Sequence, residues 1–211
     1  IDPGYNSHSV SDHTQSNWNG IIGKIVLEAH PLVNIKEIQV FPDIKENLAN
    51  IHLTLNNLTK NKVKPTLSIS IIGNDTMIKR VEVVNFDLNE NKVNFNISMG
   101  PDVKLWDEFN PNLYQLKVEL SEPSSESKDV KSVAFGMRNF QVKEKQILIN
   151  ERPVFLRGTL ECAIFPQTGF PPMEMKEWLR IFKVCKSYGL NHIRFHSWCP
   201  PEAAFAAADK M

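Results

Sequence analysis

Cysteine is scarce in this chain of 211 residues, and the three present, Cys162, Cys185 and Cys199, form no Cys-x-x-Cys pair. An odd number this low makes no disulfide framework, so three reduced thiols are expected. No apolar run approaches the ~20 residues that a helix needs to cross a bilayer, which excludes a helical membrane span. The opening residues, Ile1, Asp2, Pro3 and Gly4, carry neither a basic nor an apolar segment, so no signal peptide is expected at this end. A first residue of Ile rather than Met is expected of a cleaved or internal piece, and a leader further upstream is compatible with it. An excess of either charge is also missing: 24 Lys and Arg balance 24 Asp and Glu, with no basic stripe. Nucleic acid is therefore not an expected partner.

What is present is ordinary globular material, 42% hydrophobic and 23% charged, long enough for one large domain or two smaller ones. Between residues 32 and 143 the apolar residues alternate with polar ones in short runs. Ile51, Leu53 and Leu55 form one such run, as do Leu67, Ile69 and Ile71, then Val93, Phe95 and Ile97, then Leu116, Val118 and Leu120. A period of two puts one set of side chains in a core and the other in water. Turn signals separate the runs: Asn56-Asn57, Gly73-Asn74-Asp75, Asn89 to Lys92, and a Ser/Glu/Lys stretch from 121 to 129. Roughly seven short strands in about 110 residues is the pattern of an immunoglobulin-like sandwich. A strand is also expected over residues 21–27. Three Asn-x-Ser/Thr triplets, at Asn57, Asn74 and Asn96, are glycan acceptors by pattern, in a chain Asn-rich enough to make them by chance.

After Gln146 the pattern changes. Residues 146–150 and 154–157 read as a hairpin feeding a strand, and a Pro- and Gly-containing loop follows from 159 to 172. Met175, Trp178, Leu179, Phe182 and Cys185 fall at helical spacing, with Gly189 where a C-cap belongs. Residues 191–195 form a second strand, and Pro200-Pro201-Glu202 opens a second helix, expected to run on to Met211. Strand, helix, strand, helix makes two βα units. A pair of parallel strands cannot cover both of its own faces.

Four segments carry a resemblance to glycoside hydrolase family 2. Residues 17–27, Asn-Trp-Asn-Gly-Ile-Ile-Gly-Lys-Ile-Val-Leu, resemble the closing strand of the family's jelly-roll sugar-binding domain. Trp106, Pro111, Leu113 and Tyr114 are similar to its W-x-x-x-x-P-x-L-Y run. Phe135-Gly136-Met137-Arg138, with Leu148 to Gly158, resembles the junction "F-G-x-R … L-N-G-x-P-x-x-L-R-G". Residues 191–201 resemble the second strand of the catalytic barrel and its loop. The resemblance implies a mainly β chain. Residues 1–30 would end a jelly roll, 31–144 form an immunoglobulin-like β-sandwich, and 145–211 make the truncated start of a (β/α)8 TIM barrel.

The same resemblance implies a retaining β-glycosidase acting on a carbohydrate, most like a β-galactosidase. It implies no cofactor, a catalytic acid and nucleophile both beyond Met211, and a piece inactive alone. The compartment is unknown, with a periplasmic or secreted parent favoured. Active sites of such barrels lie at the C-terminal strand ends. Alternation puts His192, Arg194 and His196 on one face of the second strand, where polar groups are costly unless used. By resemblance Arg194 supports the nucleophilic carboxylate, keeping it ionised; the alternative is a salt bridge without catalytic duty. His196 and Trp198 stand where the family has a His-Tyr-Pro loop. Trp198 reads either as a platform for a sugar ring or as a cap on the barrel rim. Glu161 either orders its loop or touches sugar hydroxyls, and Asp12 is either a sugar contact from the jelly roll or a solvated loop residue. His192, His196 and Cys199 have no zinc-type spacing, so no metal is expected. A truncated barrel edge would pair or pack, giving a homo-oligomer or helices folded back. The contrasting reading is a non-catalytic immunoglobulin-like spacer, or a module that binds carbohydrate or protein.

Overall fold

The computed structural model describes residues 18, 20–123, 128–196 and 198–211, and the chain is mainly β. It divides into two compact units, one of Leu27–Pro153 and one of Ile1–Val26 with Val154–Met211.

The first unit holds seven strands, most of them on the alternating runs: β1 (Val33–Asp43), β2 (Leu48–Asn57), β3 (Thr66–Gly73), β4 (Thr76–Val83), β5 (Asn89–Ser98), β6 (Tyr114–Ser121) and β7 (Lys128–Phe135). They form a three-stranded sheet, β1-β2-β5, and a four-stranded sheet, β4-β3-β6-β7, antiparallel throughout. The inner faces share one core. Ala49, Ile51, Leu53 and Leu55 come from one sheet, with Leu67, Ile69, Ile71, Leu116, Val118 and Leu120 from the other. Each of the Ile, Leu and Val side chains contributes about 1.5–3 kcal/mol on burial, an upper figure because denatured chains already bury some of it. The chain passes between the sheets after β2, β4 and β5, so neither sheet can form its full pairing alone.

A buried acid ties the sheets at one end. The Ile35 N–H donates to Asp129 Oδ2 (2.7 Å), next to the register shift between Ile35 and Glu37, and Lys131 Nζ donates to the Lys36 carbonyl. The β3–β4 hairpin turns on Asn74 and Asp75, both at positive φ, as a two-residue hairpin with mirror-image twist requires. That geometry bears on two of the glycan triplets. Asn57 is almost fully buried, its Nδ2 donating to the Asn61 and Asp87 carbonyls and its Oδ1 accepting from Thr59. Asn74 Nδ2 donates to the Leu113 carbonyl. Asn96 alone of the three has an exposed side chain.

The Trp106 run and the start of the junction run meet at the end of the sandwich. Trp106 packs on Gly136, where an added Cβ would lie 2.7 Å from the Trp106 Cβ, and the Arg138 guanidinium sits 4.6 Å over the indole. The Trp106 N–H donates to the Met137 carbonyl, and Asn150 Nδ2 donates to the Trp106 carbonyl. Asn150 belongs to a small antiparallel meander of β8 (Phe140–Lys143), β9 (Gln146–Ile149) and β10 (Arg152–Pro153). Asn150 and Glu151 make its second turn, both at positive φ. Arg152 pairs with Asp107, whose carboxylate also accepts the N–H groups of Phe109 and Asn110.

In the second unit, β11 (Gly158–Glu161) and β12 (His192–Phe195) pair in parallel, joined by α1 (Met175–Ser187) and followed by α2 (Glu202–Asp209). The expected apolar spacing of α1 is met: Trp178 and Phe182 are buried against Ala204 and Ala207 of α2. Gly189, at φ 76°, ends α1 with two bonds, Leu190 N–H to the Cys185 carbonyl and Gly189 N–H to the Lys186 carbonyl. Three expectations need correcting. Residues 21–27 form no strand, and Ile21, Ile25, Val26 and Leu27 are exposed, without a sheet partner among the described residues. The strand read at 154–157 begins only at Gly158, because the Arg157 N–H is taken by the Asn191 side chain instead of a neighbouring strand. The second helix stops at Asp209, where the Lys210 N–H turns back to the Ala207 carbonyl.

Replacing Asp129 by Ala leaves the Ile35 N–H buried and unpaired, and is expected to lower stability by about 1–3 kcal/mol in urea unfolding. At Asp107, burial works to raise the pKa, but hydrogen bonds from Phe109, Asn110 and Arg152 outweigh it and hold the carboxyl below its ordinary value. A carboxyl depressed in the folded state contributes stability above its unfolded pKa of about 3.9, lost as pH falls through the folded value. Melting temperatures measured from pH 5 to pH 2 should therefore fall less steeply for Asp107→Asn than for the native chain.

Candidate functional site

The parallel register of β11 and β12 sorts the polar and apolar side chains. Gly158 stands beside His192, Thr159 beside Ile193, Leu160 beside Arg194 and Glu161 beside Phe195. Ile193 and Phe195 pack into the cluster formed with α1 and α2. His192 and Arg194 stand on the other face and are exposed, as is Leu160 at 51%. The expected alternation is therefore present, with the helices covering only the apolar side.

Glycine at 158 is needed on that open face. A Cβ there would lie 3.0 Å from the His192 Cδ2 and 3.2 Å from its carbonyl oxygen, so the bare backbone leaves room for the imidazole. Asn191 fastens the start of the strand pair. Its Oδ1 accepts the Arg157 N–H (2.8 Å), its Nδ2 donates to the Phe155 carbonyl, and its own N–H donates to the Arg157 carbonyl. Arg157 Nε in turn donates to the Gly189 carbonyl at the end of α1. Neither Gly158 nor Asn191 was singled out by residue chemistry; the signal was their place in the Leu156-Arg157-Gly158 and Asn191-His192 runs.

At the C-terminal ends of the strands the carboxylate of Glu161 is half used. Oε1 accepts the Ile164 N–H (3.2 Å), closing a turn in which buried Ala163 takes the left-handed conformation at φ 58°. Oε2 is buried and has no hydrogen-bond partner among the described residues. The Glu161 carbonyl accepts the His196 N–H (2.8 Å), which extends the pairing one residue past β12 and brings these two positions together.

Trp198 is held in an aromatic cluster. Its indole meets Phe195 edge-on at 5.5 Å, Phe165 at 6.0 Å and Trp18 at 6.5 Å, and Phe165 and Phe195 both contact Trp178. Edge-to-face packing adds about 0.5–1.5 kcal/mol per pair beyond burial. The Trp198 Nε1–H is buried and has no acceptor among the described residues, a second such polar atom near the strand ends. Asp12 lies outside the described residues. Among the described residues no three His, Cys, Asp or Glu side chains converge as metal ligands.

A profile of the family described as Glycosyl hydrolases family 2 matches residues 33–138, half of the chain. A protein described as a putative beta-glucuronidase of Formosa agariphila is 27% identical over 198 residues, 92% of this chain and 23% of the relative. A beta-galactosidase of Thermoanaerobacterium thermosulfurigenes is 30% identical over 159 residues, 72% of this chain and 22% of the relative. The chain thus spans less than a quarter of these relatives' length. Among solved structures, Bacteroides uniformis beta-glucuronidase aligns over 85% of this chain and 23% of its own, with a TM-score of 0.69 and 19% identity. A beta-galacturonidase of Eisenbergiella tayi aligns over 85% of this chain and 31% of its own, with a TM-score of 0.63 and 18% identity. At such identities the two structures speak for the fold alone. Together with the profile match over the sandwich strands, the comparisons lead to one statement: the chain belongs to glycosyl hydrolases family 2.

Proposed function

We propose that the chain is an internal piece of a retaining β-glycosidase, whose active site opens on the Arg194 face of β11 and β12. In this reading residues 1–30 end a jelly-roll domain and 31–144 form an immunoglobulin-like β-sandwich. The strand order β1-β2-β5 over β4-β3-β6-β7 supports the second assignment. Residues 145–211 begin the catalytic (β/α)8 barrel, a reading supported by the parallel β11-α1-β12 unit. The catalytic acid and nucleophile come from strands beyond Met211, set about 5–5.5 Å apart as retention requires. β-Galactosides are the favoured substrates, in keeping with the name of the Thermoanaerobacterium relative.

The observation that carries this reading is a pair of buried polar atoms without a partner among the described residues, Glu161 Oε2 at the C-terminal end of β11 and Trp198 Nε1 just past β12. A buried acceptor or donor left unpaired costs about 1–3 kcal/mol, and a sugar hydroxyl both donates and accepts. Glu161 is thus assigned to order its loop through Oε1 and to contact substrate through Oε2. Trp198 supplies an indole N–H from a ring fixed by packing, and His196 lines the same loop. Arg194 supplies a permanent positive charge that keeps a neighbouring carboxylate ionised.

The test is hydrolysis of aryl β-galactosides and aryl β-glucuronides by the 211-residue chain and by the protein encoded when the reading frame is extended past Met211. The extended protein is expected to turn over, and the chain alone to stay at the level of a vector control. In the extended protein Arg194→Met should lower kcat by roughly two orders of magnitude, the scale of losing one electrostatic stabiliser. Glu161→Gln should act mainly on KM. Turnover by the chain alone, or an Arg194→Met protein of native kcat, contradicts the assignment. Gly158→Ala pushes a methyl into His192 and is expected to cost about 1–3 kcal/mol of stability in thermal unfolding.

A further inference from the structure

The outer face of the three-stranded sheet holds an arrangement that the barrel chemistry does not use. The register places Phe41, Asn50 and Asn96 side by side in one row across β1, β2 and β5, and Gln39, His52 and Asn94 in the next. Phe41 is 49% exposed, and its ring centroid lies 4.8 Å from that of His52, so a phenyl and an imidazole stand together above the sheet. The side-chain amides of Asn50, Asn94 and Asn96 have no hydrogen-bond partner among the described residues, and none carries an ion pair. Each offers two donors and an acceptor to solvent. Asn is depleted from strands, where β-branched residues pack better, so three on the solvent face of paired strands run against local preference. Such a conflict marks a position where something other than stability decides the residue.

Charge defines the borders. The two rows hold no Asp, Glu, Lys or Arg, whereas the flanking rows carry Asp43 on one side and Glu37 and Lys92 on the other. Neighbouring strands lie about 4.8 Å apart and alternate residues on a strand about 6.8 Å apart. The amides are therefore spread along the sheet face next to the aromatic pair rather than stacked on one another. An uncharged sheet face with an apolar ring and free amides suits an uncharged ligand that presents apolar C–H faces and many hydroxyls along an extended chain.

We propose that this face binds a neutral β-linked glycan chain, with a sugar ring over Phe41 and hydroxyls bonded to Asn50, Asn94 and Asn96. It draws on the glycosidase reading only for the ligand class, and turnover by the extended protein remains a separate readout, so either can fail alone. The test is native gel electrophoresis of the 211-residue chain through gels containing soluble β-1,4-galactan or mixed-linkage β-glucan, with polygalacturonate as the anionic comparison. A neutral glycan is expected to retard the native chain, Phe41→Ala to remove the retardation, and the Asn94→Ala/Asn96→Ala pair to weaken it at least tenfold. Thermal unfolding checks that each variant is folded; if Phe41→Ala is not, His52→Ala and the asparagine pair carry the test. Absence of retardation by both neutral glycans overturns the proposal, as does equal retardation by polygalacturonate or full retardation of the folded variants. A concentration-dependent dimer in sedimentation that Phe41→Ala abolishes also overturns it, because the face would then belong to a second copy.

Discussion

The contact of Trp106 with the bare α-carbon of Gly136 is the point on which the order of the Leu27–Pro153 unit depends. An indole can lie against that backbone only because no Cβ intervenes; the nearest approach would otherwise be 2.7 Å. With the ring seated, Leu105 bridges to Met137, and the backbone of Trp106 reaches the carbonyl of Met137 and the amide of Asn150. Three stretches distant in sequence are thereby fixed to one another. The W-x-x-x-x-P-x-L-Y run and the junction run, separate in sequence, are two halves of one interlock.

That interlock explains why the small meander β8-β9-β10 is ordered at all. Three strands of four, four and two residues bury little, and Leu148 is their one well-buried side chain. Their position is held instead by polar atoms: Asn150 bonds to both Asn139 and Trp106, and Arg152 to Asp107. The left-handed conformations of Asn150 and Glu151 are local strain of about 1 kcal/mol or more, tolerated because these bonds over-determine the turn.

In the second unit the governing constraint is different. A two-stranded parallel sheet has two faces, and the helices here cover one. The side chains follow this division: Ile193 and Phe195 face the aromatic cluster, while Arg194 and His192 take the open side. The buried, half-satisfied carboxylate of Glu161 closes β11, and Trp198 Nε1, without a partner among the described residues, lies just past β12; a fully apolar core would have no use for either.

Period-two alternation located β2, β3, β5 and β6, because each has one face in a dry core and burial enforces the period, whereas β4, with no buried side chain, gave no such run. Helical spacing from Met175 to Cys185, with Gly189 after it, was likewise legible, since the stop signal is a backbone conformation that glycine adopts without cost. Residues 21–27 misled: Ile-Ile-Gly-Lys-Ile-Val-Leu has the composition of a strand, but a strand exists only where another offers it hydrogen bonds. Residues 154–157 failed for a related reason, since the side chain of Asn191 took the backbone donor that a ladder would have used. The family membership, the strand faces and the polar character of Arg194 and Glu161 were determined by the sequence alone. Pairing partners, the room Gly158 leaves for His192, the seating of Trp198 among aromatic rings and the meeting of Phe41 with His52 were decided only by tertiary structure. Each of these depends on which atoms become neighbours across large separations in sequence, and local preference carries no information about that.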